Sequence, residues 1–454
     1  MISFSVQGAD HCVRSGASGT QSGSDWVNAY TNLPTTLVRG DRYYIAGGDY
    51  GKYVFGDEPS GTNWIYVTKA TVAAHGAATG WSDSYASTAN FTELKFDRSY
   101  YDVDGVTGTN NSGHGIKITH TVAAAGYGGA WSDNFQYWKK HHIRLAHIEI
   151  TQAAPFEQDG IYFYLCETNA TIADPNLLVE SCYIHNQGGL HGHFLNGSYQ
   201  VFRNNFMEFS SQTDSSGHKE MMKWDSTNSF VRIYGNTFKD WRGFSVTGGL
   251  ILGGGGIAGS MTDWLIYNNI FYWTTISNPG GTNTWSGGNR SIGGLDSSTT
   301  DHSDVYVFNN TFYNVSEANA ANIFSFGVWT GNRGVTNNLF SVCAGLSEIR
   351  FASNYNAFYQ TANWTARAAN DVSLSSDPTP NAATGDFQLA VGSAAIGSGA
   401  NLNSYFTTDK NGTTRGSTWD IGAYQYAATA STNTTGRITY QGQAVKHGGY
   451  RVGF

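Results

Sequence analysis

Apolar and polar side chains alternate along "VYVF" at residues 305 to 308, stop at Asn309 and Asn310, and give way to aromatics in "TFYNV". A period of two marks a strand with one buried face, and asparagine tolerates the left-handed and bridge conformations of a sharp bend. The phrase recurs as "YQVFRNNFMEF" from Tyr199, "FVRIYGNTFKDW" from Phe230, "WLIYNNIFYW" from Trp264 and "GVTNNLFSV" from Gly334. Weaker copies are "LLVESCYIHN" from Leu177 and "SNYNAFYQ" from Ser353. Recurrence at irregular intervals signals a solenoid with loops inserted into individual coils. A leucine-rich repeat needs leucines at fixed offsets and helical segments, and neither is present. Short β-branched and aromatic strands with Gly and Asn corners predict an all-β, right-handed parallel β-helix. Coils about 4.8 Å apart, roughly ten of them, give a rod on the order of 50 Å long. Equivalent asparagines on successive coils, each both donor and acceptor, are placed to bond in a ladder.

The ends read differently. Residues 1–60 are expected to hold an N-terminal cap and the first strands, with "DWVNAYTNL" (25–33) as a short helix before a first strand "RYYIAGG". An open solenoid end is an unpaired edge that needs such a cap. Residues 61–426 form the coil. After the polar break "AATASTNTTG", residues 427–454 read as a linker and a short C-terminal tail for attachment or partner binding.

Composition narrows the partners. Only 13% of residues are charged, 14% are aromatic, and glycine reaches 56, which is a folded rather than a disordered composition. A formal net charge of −8 leaves no basic footprint for nucleic acid. Cys12, Cys166, Cys182 and Cys343 are too few for a disulfide framework; Cys166 and Cys182 could stack on neighbouring coils, but buried thiols are the preferred reading. No apolar run is long enough for a membrane span. The opening "MISFSVQGADHCVRSG" has no basic region followed by an apolar one, as expected of a mature fragment or of a protein that leaves its cell by lysis.

Chemistry-bearing residues concentrate between 185 and 263: His185, His191, His193, His218, Lys219, Glu220, Lys223, Asp225, Asp240 and Arg242. Within this stretch "HKEMMKWDSTNSFVRIYGNTF" resembles the catalytic turn of alginate lyase and chondroitinase B-type polysaccharide lyases. That resemblance implies Glu220 as a calcium ligand, Lys223 as Brønsted base and Arg242 as the assisting arginine. A cation neutralises the uronate carboxylate so that the base can remove the C5 proton. The sequence lacks the second acidic ligand, and its next turn reads "SVTGGLILGG". His191, His218, Trp224 and Trp241 are the candidate substrate contacts, since aromatic faces stack on sugars. Inverting hydrolysis would instead need two separated carboxylates, for which Asp214, Glu220, Asp225 and Asp240 offer pairs. His185, His191 and His193 would suit a transition metal, although solvated loop histidines are the simpler reading. No cofactor is assigned, calcium being the one candidate.

The chain as a whole resembles the right-handed parallel β-helix (pectate-lyase-like) superfamily. "DKNGTTRGSTWDIGAYQY" (409–426) is similar to the closing turn of many extracellular and phage β-helix proteins, and the opening and tail resemble segments of phage and environmental ones. These likenesses imply a bacteriophage virion surface protein, tail-associated or capsid-decorating. It would be structural and glycan-binding, homotrimeric, and in contact with other virion proteins or with itself. The alternatives are a secreted polysaccharide lyase acting on a uronate polymer and a cell-surface adhesin, and the expected location is the virion surface or the extracellular space. The fold hosts all three roles.

Overall fold

A computed structural model describes residues 8–121, 128–132, 140–154, 159–165, 170–210, 219–241, 246–253, 260–274, 290–293, 303–315, 323–325, 331–343, 352–361, 368–427, 446–447 and 450–451. The strands from Asp10–Val13 to Val372–Ser373 join in one parallel, 29-stranded array, and the chain coils as a right-handed parallel β-helix.

The pairing resolves into three ladders. Sheet I begins with Asp10–Val13 against Arg42–Ile45 and ends with Arg333–Thr336 against Ala352–Asn354. Sheet II runs from the first half of Gly48–Phe55 through Ile116–His120 and Ile148–Gln152 to Val372–Ser373. Sheet III runs from the second half of Gly48–Phe55 through Gly128–Trp131 and Asp159–Tyr164 to Phe324–Ser325. Two long strands, Gly192–Arg203 and Lys219–Tyr234, bend from sheet III into sheet I. Inside, one side chain per coil stacks on the next. Phe238, Phe271, Phe312, Phe340 and Phe358 lie 4.8–5.2 Å apart with rings nearly parallel.

The recurring phrase is the corner between sheets I and II, and its two asparagines have different tasks. The first takes the left-handed conformation that turns the chain, as at Asn204, Asn268, Asn309 and Asn337. The second points inward and forms the predicted ladder. Asn205, Asn236, Asn269, Asn310 and Asn338 each donate from Nδ2 to the next Oδ1 at 2.9–3.1 Å, ending on Asn356. Each also donates to a carbonyl of the preceding coil, such as Ile233 from Asn269. The ladder stops where Asp371 takes the equivalent place and accepts from the Asn356 N–H at 2.8 Å.

Residues 374–426 run back along the sheet I–II corner as a strap. The outer asparagines hold it: Asn268 donates to Thr408 O, Asn309 to Asp420 O and Gly422 O, and Asn337 to Ala400 O. Buried Arg415 donates to Asn268 Oδ1 and to the carbonyls of Gly422 and Ala423, while Phe406 stacks on Tyr267 at 4.3 Å. The "DIGA" segment therefore lies on the flank of the coil.

The expected helix at 25–33 does not form. Asp25 accepts from the Asn28 N–H at 2.7 Å as a helix cap would, but Tyr30 then bridges to Val13 and Trp26 is buried against Trp81 and His75. The first strand precedes this segment. Cys182 and Cys343 are buried free thiols, Cys12 is a free, partly exposed one, and Cys166 lies outside the described residues. Lys446–His447 pairs antiparallel with Tyr450–Arg451.

Candidate functional site

Sheet III turns a column of chemistry-bearing side chains outward. In-register pairing places Lys95 beside Trp131, Trp131 beside Tyr162, Tyr162 beside His193, and His193 beside Lys223. Lys52 and Lys95 lie over the Trp131 ring at 5.5 and 5.1 Å, a cation–π arrangement. The indole N–H donates to Glu93 Oε1, which Lys52 also meets at 2.7 Å. Tyr162 stands edge-on to His193 with ring centroids 5.1 Å apart.

His193 is the centre of the better-developed end. Its Nε2 is 2.8 Å from Asp225 Oδ2 and its Nδ1 is 3.6 Å from Asp159 Oδ2. Lys223 Nζ reaches the same Asp225 oxygen at 3.2 Å. Asp159 is itself fixed, because the Leu190 N–H donates to its Oδ1 at 2.9 Å. Gly160, next to it, permits this approach: a Cβ there would meet His191 O at 2.9 Å. Burial opposes charge on His193, but hydrogen bonds and attraction from Asp159 and Asp225 outweigh it and push the imidazole up to about 9. It is an imidazolium at neutral pH. His193 and Lys223 keep 20% and 15% of their side chains exposed, so two cationic side chains reach the surface over two largely covered carboxylates, with both His193 nitrogens turned to those carboxylates.

Other predicted residues do not join them. Glu220 is three residues from Lys223 on one strand, and a period of two sends the pair to opposite faces. Glu220 is 0% exposed inside the coil, so it cannot hold calcium beside Lys223. Trp224 and Trp241, also 0% exposed, are core residues rather than sugar platforms. Trp224 donates to Gln200 Oε1 and packs on Trp264, and Trp241 packs on Trp273. His191 lies just before the strand Gly192–Arg203 and is fully buried; burial lowers it to about 3, and it offers no surface to a substrate. His185 stacks on Tyr183 and meets Glu149 on sheet II, so the three histidines do not converge on a metal. Asp240 is a corner residue whose carboxylate accepts from Thr274 N–H and Oγ1. Of the described carboxylates considered for hydrolysis, only Asp225 is on this face, and the imidazole fills the space between it and Asp159. His218, Asp214 and Arg242 lie outside the described residues, as does the Lys219 side chain.

Asp159, Tyr162, Lys95 and Glu93 escaped sequence reasoning. The nearly equal intervals from Trp131 to Tyr162, His193 and Lys223 were the available signal, hidden because these coils carry no asparagine pair in sheet III.

The ladders and the coil define a right-handed parallel β-helix. No protein-family model matches the chain, and no curated protein matches it. Among solved structures it is similar to pectate lyase Pel9A, with 14% identity and a TM-score of 0.47 over 92% of this chain and 96% of that one. It is also similar to XylC in complex with xylose, with 8% identity and a TM-score of 0.41 over 92% and 98%. Both likenesses concern the course of the backbone.

Proposed function

We propose that the protein is a glycan-binding β-helix of a bacteriophage virion surface, which grips an extended polysaccharide along the outer face of sheet III. The observation that carries the binding role is the column from Lys95 to Lys223. It places one side chain per coil at a repeat of about 4.8 Å, comparable to the length of one sugar residue. Trp131 and Tyr162 are themselves covered, and Lys95, His193 and Lys223 are the members that keep surface open to a ligand. Lys223, with N–H groups beyond the one that meets Asp225, supplies donors to sugar hydroxyls or to a uronate carboxylate, and imidazolium His193, whose two N–H groups face Asp225 and Asp159, adds positive charge beside it. Binding without cleavage is favoured because Glu220 faces away from Lys223 and the Lys223 amine is ion-paired to Asp225. The virion setting is supported by the resemblance of residues 409–426 and of the opening to phage β-helix segments.

Affinity electrophoresis in gels carrying alginate, chondroitin or pectin tests the binding role. Retardation by one of them, weakened about tenfold or more by Lys223→Ala and by His193→Ala, is the expected result; equal mobility in all gels refutes it. Cryo-electron microscopy of the native assembly tests the setting, with rods expected on particle surfaces, whereas an adhesin would label intact cells. A second reading, β-elimination, draws on Lys223 standing beside a cationic His193, a base next to a group that neutralises a uronate. Ultraviolet-absorbing unsaturated products from alginate, lost in Lys223→Ala, would establish it in place of simple binding.

A further inference from the structure

The outer asparagine column has a gap. Asn204, Asn268, Asn309 and Asn337 turn successive corners, but Gly235 does so on the coil between the first two. A Cβ at Gly235 would come within 2.3 Å of Asn204 Oδ1. Beside the bare corner lies a cavity of about 310 Å³, walled by Asn204, Tyr234 and Asn268 from the coil and by Asp409, Lys410 and Asn411 from the strap. It is far larger than one ordered water needs and falls at the lower end of small-ligand sites.

Its charges are unevenly satisfied. Lys410 Nζ donates to Gly235 O, and among the described residues no carboxylate pairs with it. Asp409, its neighbour, is turned into its own loop, where it accepts from the N–H groups of Asn411, Thr413 and Gln425. Arg415 is engaged with Asn268 Oδ1 and strap carbonyls. Tyr234 stacks on Tyr267 through one face, and its hydroxyl accepts from Arg203. The wall therefore combines amides, one aromatic ring and a single amine facing a neutral carbonyl.

We propose that this cavity binds a monosaccharide-sized acid, a free or chain-terminal uronic acid, with its carboxylate on Lys410 Nζ and its hydroxyls toward the amides of Asn204 and Asn411. A group with two negative charges, such as phosphate, fits less well, because it would meet one amine with the Asp409 carboxylate close by. The inference shares with the sheet III reading only the class of ligand, since the two sites lie on different parts of the coil. Burial lowers the Lys410 amine to about 7, and Asp409, Arg415 and Tyr234 are the titratable groups around it. A bound carboxylate would favour the ammonium form, so binding should take up a proton near and above neutral pH.

Isothermal titration calorimetry of the full chain with glucuronate and galacturonate, and with glucose and inorganic phosphate as comparisons, tests this. The expected result is uronate binding that depends on buffer ionisation enthalpy and weakens on the alkaline side. Binding should fall at least about tenfold in Lys410→Gln, which keeps a donor for Gly235 O, and persist in Lys223→Ala. Failure of uronate to bind, phosphate binding as well as uronate, or equal affinity in a Lys410→Gln protein with an unchanged melting curve would overturn it. Loss in Lys223→Ala but not in Lys410→Gln would also overturn it and return the ligand to sheet III.

Discussion

One inner amide per coil satisfies backbone groups on both adjacent coils. In Asn269→Leu the Asn236 N–H, which donates to Asn269 Oδ1 at 2.9 Å, is left buried without its acceptor. Each such orphan costs about 1–3 kcal/mol, so a loss of roughly 2–4 kcal/mol in chemical denaturation is expected. Two histidines set opposite pH limits. His191, lowered to about 3, is held neutral by the fold, so its contribution is present above the ordinary histidine range and falls as pH drops from there toward 3. His193, raised to about 9, is held charged, so its contribution is complete below that range and is lost as pH climbs through 9. Melting temperature against pH should therefore fall on both sides, with His191→Phe flattening the acid limb and His193→Gln the alkaline one. Neither role was legible in the sequence, where His191 and His193 stand two residues apart and nothing marks the first as fully buried and the second as held between two carboxylates.

At the scale of elements, stacking across coils replaces packing between layers. Phe312 lies between Phe271 and Phe340 at 4.9 and 5.0 Å, and Phe312→Ala should cost about 3–5 kcal/mol, read from the same denaturation curves. The strap is a separate case. Arg415→Met removes its bonds to Asn268 and the Gly422 and Ala423 carbonyls, and limited proteolysis should then cut between 400 and 412 while the coil keeps its circular dichroism. Strand periodicity was readable throughout and, applied to "EMMK", it separates Glu220 from Lys223. The likeness to a lyase turn had joined them on one surface because a linear motif carries no record of which way each side chain points.

For the whole molecule, the corner phrase was enough to give the coil, since buried amides at a left-handed bend recur only where the chain meets itself again. The column on sheet III was not recoverable in the same way. It depends on register between coils whose inserted loops differ in length, so Asp159 and His193 look unrelated until the pairing is known. The course of residues 374–426 was equally hidden: its contacts join positions far apart in sequence, such as Asn268 with Thr408. That reversal has a mechanical consequence. Gln425 is bonded to Asp409, and Ala423 to Thr311 Oγ1, so the chain departs from the side of the rod, well short of its last coil. Anything fused beyond Tyr426 would be carried like a saddlebag, and pulling on it would load the rod crosswise and peel the strap before stretching the spring.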